Sequence, residues 1–163
     1  MPTDDPEFFG YVTNWFYGQP LHLTEEGPEP LDLINLYIMA DRLILPNIKN
    51  QIVDTLRAYF ARKSVMYITM GRLITADLQE SKAMAYLVDE AGLDLSKMYK
   101  KVWDVNHPTE LCALDADVVK RIMDRWSATT SLSREQARRE GCYYHEHQSN
   151  EERAECKEAK PKK

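Results

Sequence analysis

The last fifth of the chain cannot build a hydrophobic core. Ser131 to Lys163 is 33 residues, 15 of them charged, and beyond Leu132 it contains no Leu, Ile, Val, Met or Phe. A segment of this kind buries too little apolar surface to offset the entropy of ordering it. On hydropathy alone it reads as a solvated tail, with a boundary near residues 126–130. Whatever core the protein has must come from the preceding 130 residues. The charge divides at the same place, with 13 basic and 19 acidic residues before Ser131 and 8 and 7 after it.

Helical signals dominate that first part. Asp4-Asp5-Pro6-Glu7 offers an Asp cap, a proline at the first helical position and acid in the first turn. Phe8, Phe9, Val12, Trp15 and Phe16 follow at helical spacing, and Gly18 and Pro20 end the element. Leu21-His22-Leu23 alternates and reads as a short strand. In 31–45 the set Leu33, Ile34, Tyr37, Ile38, Ala40 and Ile44 is again helical, with Pro46 as the breaker. Asn47 then reads as the cap of a helix with Ile48, Ile52, Val53, Leu56, Tyr59 and Phe60 on one face, which makes the pair an αα-hairpin. Residues 65–74 are compatible with strand or helix start. Gln79 to Ala91 reads as a helix closed by a left-handed Gly92, and Leu95 to Trp103 as a separate one. Asp115 or Asp117 caps a last helix carrying Val118, Val119, Ile122, Met123 and Trp126. The expected fold class is mainly α, with at most one or two short strands.

Several function classes are excluded at this point. The longest apolar run, Ala83 to Val88, is far short of the ~20 residues that span a bilayer, so no membrane association is expected. A net charge of −5 and a pI near 5.4 argue against nucleic acid as a partner. The acidic start, Met1-Pro2-Thr3-Asp4-Asp5, lacks the apolar core of a signal peptide, so the expected location is inside the cell, cytoplasmic or nuclear. In that setting three cysteines are thiols or metal ligands rather than a disulfide framework.

The apolar-poor segment carries the one cluster with metal-ligand chemistry. Cys142, His145, His147 and Cys156 follow the spacing Cys-x2-His-x-His-x8-Cys. Two thiolates and two imidazoles are a zinc donor set, and a bound ion would supply the ordering energy that the segment lacks. The spacing matches no common finger pattern, and the alternative is a solvated tail with unrelated Cys and His. No other cofactor is expected. Cys112, between Leu111 and Ala113, reads as a small buried hydrophobe. There is no glycine-rich phosphate loop, and the acid pairs Glu25-Glu26, Asp115-Asp117 and Glu151-Glu152 sit in loops, at caps or in the tail, so an enzyme is not expected.

Asp4 to Phe9, Trp15-Phe16-Tyr17-Gly18, and Leu36-Tyr37-Ile38-Met39-Ala40-Asp41-Arg42-Leu43-Ile44-Leu45-Pro46-Asn47-Ile48-Lys49-Asn50 resemble the second half of a BTB/POZ domain of the fungal type. The Cys/His-rich ending is also similar to that of fungal relatives of this kind. The resemblance covers roughly residues 4–60, with a looser similarity through the later helices. It implies a truncated or divergent member, or an incomplete gene model, since the strand-rich first half expected of such a domain does not precede Met1. The division it suggests is 1–62 as the partial domain, 63–130 as a helical extension and 131–163 as the tail. It further implies a non-catalytic protein–protein interaction module binding a partner protein, or a second copy of itself, through an apolar helix face. The residues expected there are Phe9, Trp15, Tyr17, Leu36 and Tyr37. Cullin-recruiting relatives carry a hydrophobic-x-acidic triplet near the start of the first helix; here that place reads Phe9-Gly10-Tyr11, without the acid, while Leu23-Thr24-Glu25 has the pattern in a loop.

Overall fold

The computed structural model describes residues 6–19, 29–62, 78, 80–101, 115–129 and 141–158. Among them are six α-helices: α1 (Pro6–Phe16), α2 (Pro30–Arg42), α3 (Pro46–Arg62), α4 (Lys82–Lys101), α5 (Ala116–Thr129) and α6 (Asn150–Glu158). A 3-10 turn, η1, covers Gly141–Tyr144. No strand occurs among the described residues, so the fold is mainly α. None of these helices is long and apolar enough to cross a membrane. Leu21–Leu23, residues 65–74 and Cys112 lie outside the described residues.

The chain divides into two units, residues 1–58 with 141–163, and residues 59–140. The 1–62, 63–130 and 131–163 division read from sequence does not coincide with them. Composition marks where charge and hydropathy change, whereas the units follow spatial contacts, and the described residues 141–158 fold with the N-terminal part.

In the first unit α1 begins at Pro6, whose missing N–H is unneeded at that position. It ends in a Schellman cap: Gly18 sits at φ 77°, its N–H donates to Trp15 O at 2.9 Å, and Gln19 N–H donates to Asn14 O at 3.1 Å. The helix lies against α2 and buries Val12. Trp15 is half-buried, and its indole Nε1 donates to Gln51 Oε1 of α3 at 2.8 Å.

α2 is the central helix. Leu33, Ile34, Leu36, Tyr37, Ile38, Met39 and Ala40 are all buried. A helix apolar nearly all round must be covered on nearly all sides. That corrects the expectation for Leu36 and Tyr37: at 0% and 1% exposure they are core, not partner-facing.

The turn after α2 is built differently from its sequence reading. Ile44 takes the left-handed position at φ 56°, donating its N–H to Asp41 O at 3.0 Å, while Leu45 N–H donates to Ala40 O at 2.9 Å. This is a second Schellman cap, here with a β-branched residue where glycine is usual. Pro46 does not merely break α2. It opens α3 at the first helical position, so Asn47 lies inside the helix rather than capping it. Ile48, Ile52, Val53 and Leu56 then form the buried face of α3.

In the second unit Phe60, Leu78, Met84, Leu87, Val88, Ala91, Val118 and Ile122 are buried. Ser81 caps α4, its Oγ accepting from Met84 N–H at 3.0 Å. Asp115 caps α5, its Oδ1 accepting from Asp117 N–H at 2.9 Å.

Gly92 does not end a helix, and α4 runs through it to Lys101. A Cβ there would lie 2.9 Å from Arg125 Cγ and 3.1 Å from Ile122 O. The glycine is a point of close approach between α4 and α5. Arg125 also reaches Asp89 of α4, at 3.2 Å.

Candidate metal centre

The segment at 141–158 is not solvated throughout: Cys142 and Tyr144 are buried, and Cys156 is half-buried. Its local structure follows from short signals. η1 carries Cys142, and His145 N–H returns to Cys142 O at 3.3 Å. Residues 145–149 lead into α6, for which Ser149 is the cap; its Oγ accepts from Glu152 N–H at 3.1 Å. Glu152 in turn accepts from Gln148 N–H at 2.8 Å, a variation on the capping box. Two turns of α6 place Cys156 back over η1.

The four predicted ligands are thereby brought together. Cys142 Sγ lies 3.3 Å from His147 Nε2, and Cys156 Sγ lies 3.2 Å from His145 Nδ1. The donor atoms of Cys142, His147 and Cys156 are all within 4.8 Å of one another. Bond lengths of about 2.3 Å to sulfur and about 2.0 Å to nitrogen put neighbouring donors of tetrahedral zinc roughly 3.5 Å apart. The observed S–N separations are close to that spacing. Cys142, His147 and Cys156 form the compact trio, and His145 adjoins it on the Cys156 side.

Burial pushes the Cys156 thiol up, and the hydrogen bond and charge of the Cys142 sulfur push it further, from 9.0 to about 11. Two sulfurs this close repel each other as thiolates, and a divalent cation between them removes the repulsion. Soft sulfur with imidazole suits zinc rather than magnesium or calcium.

Supporting groups come from α2 and α3. His145 turns its second nitrogen, Nε2, to Asp54 Oδ1 at 3.0 Å. A carboxylate behind a ligating histidine fixes the ring and makes it a better ligand. Partial burial raises the Asp54 carboxyl, but His145 and Arg57 together outweigh that and hold it below its ordinary value.

Asn50 grips the backbone between the two histidines, its Nδ2 donating to Glu146 O at 2.9 Å and its Oδ1 accepting from Glu146 N–H at 2.7 Å. The Glu146 carboxylate pairs with Lys49 and accepts from Tyr37 OH at 3.2 Å. Lys49 also donates to Asp41 at 2.7 Å. Burial lowers the Lys49 ammonium, but the two carboxylates more than compensate and raise it.

Tyr37 therefore acts as a buried support beneath this segment, and its hydroxyl has the partner that a buried tyrosine needs. Of the other expected interaction residues, Phe9 and Tyr17 are exposed, at 58% and 83%, and Trp15 is held by Gln51. Asn50, Asp54, Lys49 and Glu146 were not singled out from sequence. The Ser149-x-x-Glu152 pattern could have indicated α6, whereas nothing local ties residue 50 to residue 146. No protein-family model matches the chain, and neither a curated protein nor a solved structure matches it.

Proposed function

We propose that this chain is a non-catalytic zinc-binding protein in which Cys142, His145, His147 and Cys156 hold a structural ion. The ion clasps η1 to α6 and, through the Asp54–His145 contact and the Asn50 grip, ties the C-terminal segment to α3. The observation that carries this reading is the convergence of four N and S donors from a segment with almost no apolar side chains. Structural zinc supplies folding free energy to such a segment. Free thiols of this kind are maintained in the reducing interior of a cell, which is the compartment proposed.

The test is the metal content of the purified full-length chain, with cobalt substitution. One zinc per chain, and the visible thiolate-to-metal and d–d bands of tetrahedral Co2+, are expected. Protein that takes up neither metal overturns the reading.

A second reading concerns α1 and the turn that follows it, where Phe9, Phe16 and Tyr17 are exposed at 58%, 62% and 83%. Phe9 and Phe16 are seven residues apart and share a helix face. This is the feature expected of a protein-interaction module, the role that the BTB/POZ-like segments imply. Replacing Phe9 and Phe16 with Gln should leave the melting temperature unchanged and abolish partner binding or self-association; association that survives the double substitution removes this reading.

A further inference from the structure

We infer that Cys142 and Cys156 are a redox pair, in which hydroperoxide converts the two metal-bound thiolates into an intramolecular disulfide and the metal is released. This rests on the zinc reading above and adds a reaction to the same site.

The geometry supplies the parts. The two sulfurs lie within 4.8 Å of each other, and no other cysteine lies among the described residues. They sit on η1 and α6, which pack together, so the two sulfurs are already neighbours before any bond forms between them. Their accessibility differs: Cys142 is 9% exposed, while Cys156 is only half-buried and is the more accessible of the two to an oxidant from solvent. Coordinated sulfur is thiolate, the form that attacks a peroxide.

The steps balance. The Cys156 thiolate attacks one peroxide oxygen, the O–O bond breaks, and hydroxide leaves, giving a sulfenic acid at Cys156. The Cys142 thiolate then attacks that sulfur and expels a second hydroxide as the S–S bond forms. The two sulfurs lose two electrons, hydrogen peroxide gains two, and two protons from solvent convert both hydroxides to water. His145 and His147 remain as the only ligands, too few for the tetrahedral set that structural zinc requires, so the ion dissociates. The link between η1 and α6 changes from coordinate to covalent.

The experiment uses the full-length zinc-loaded protein, with metal content measured before any oxidant is added. Hydrogen peroxide is titrated in while a chromogenic chelator reports released zinc, and peptides are mapped without reduction. The expected result is one zinc released for each Cys142–Cys156 disulfide formed, with both changes reversed by a thiol reductant and added zinc. Zinc retained under peroxide, or released with sulfinic or sulfonic acid at these positions in place of the disulfide, overturns the redox pair and leaves the metal site standing. A chain that holds no zinc at the outset overturns both, and the first measurement separates that outcome from the others. In Cys142→Ser, Cys156 should stop at sulfenic acid or over-oxidise; reversible protection that persists in this variant also overturns the pair.

Discussion

Asn50 holds Glu146 by both backbone polar groups, donating to its carbonyl at 2.9 Å and accepting from its N–H at 2.7 Å. The side-chain amide of α3 thus pairs with the segment as a neighbouring strand would, and it does so between His145 and His147. Asn50→Ala should destabilise the first unit by about 1–3 kcal/mol, because a half-buried donor and acceptor lose their partners. Asn50→Asp keeps the acceptor but sets a carboxylate against the Glu146 carbonyl, and should be at least as damaging. Chemical denaturation of both variants with zinc bound measures this.

Asp54 stands behind His145 at 3.0 Å. Asp54→Asn keeps the shape but removes the charge, and should weaken zinc binding about 10–100-fold. His145→Ala should weaken it less than Cys142→Ala or Cys156→Ala, since His145 adjoins the compact trio rather than belonging to it. Competition with a chelator of known affinity ranks all four variants; equal losses would contradict this ordering.

Lys49 is a buried cation whose partners, Asp41 and Glu146, are partly exposed. Lys49→Met should cost about 1–2 kcal/mol, less than a fully buried pair because solvent screens both carboxylates. Its folded pKa is raised above the ordinary lysine value of 10.5. Its contribution is therefore complete below that value and is lost only as pH rises through the folded pKa. The stability difference between Lys49→Met and the parent should stay flat from about pH 6 to pH 9 and narrow only in stronger alkali.

Ile44 is 81% exposed and sits at φ 56°, a conformation unfavourable for a β-branched residue. Ile44→Gly relieves roughly 1–2 kcal/mol of left-handed strain and gives back roughly 0.5–1 kcal/mol in chain entropy. A net gain of about 0.5–1 kcal/mol in thermal or denaturant unfolding is expected; a loss would mean that the side chain has a packing role.

Gly92→Ala tests the α4–α5 contact. Helix propensity favours alanine by about 1 kcal/mol. The new Cβ would meet Arg125 Cβ at 3.0 Å and Ile122 O at 3.1 Å, and neither can swing away as a side-chain tip can. Separation of the helices should outweigh the propensity gain and leave a net loss of about 1–2 kcal/mol. A more stable variant would show that the helices separate without penalty.

The helices were legible where their signals are local. The stripes of α1, α2, α3 and α5, the Gly18 stop and the Asp115 cap depend on residues within a turn or two of each other. Gly92 misled because a glycine after an apolar helix carries the same signal whether it caps the helix or admits a neighbour. Leu36 and Tyr37 misled because periodicity identifies an apolar face without telling what covers it.

The four Cys and His residues of the candidate metal centre were legible for a similar reason, since they fall within 15 residues and their chemistry is particular to them. Their supports were not. Asn50 and Glu146 are 96 positions apart, and Asp54 and His145 are 91 apart. Short-range chemistry, the periodicities, caps and donor types written along the chain, was settled by sequence alone. Which polar row of α3 lies beneath the Cys/His segment, and that this apolar-poor segment is held at all, was decided only when the chain folded back on itself, because a contact between distant residues depends on the packing of everything between them.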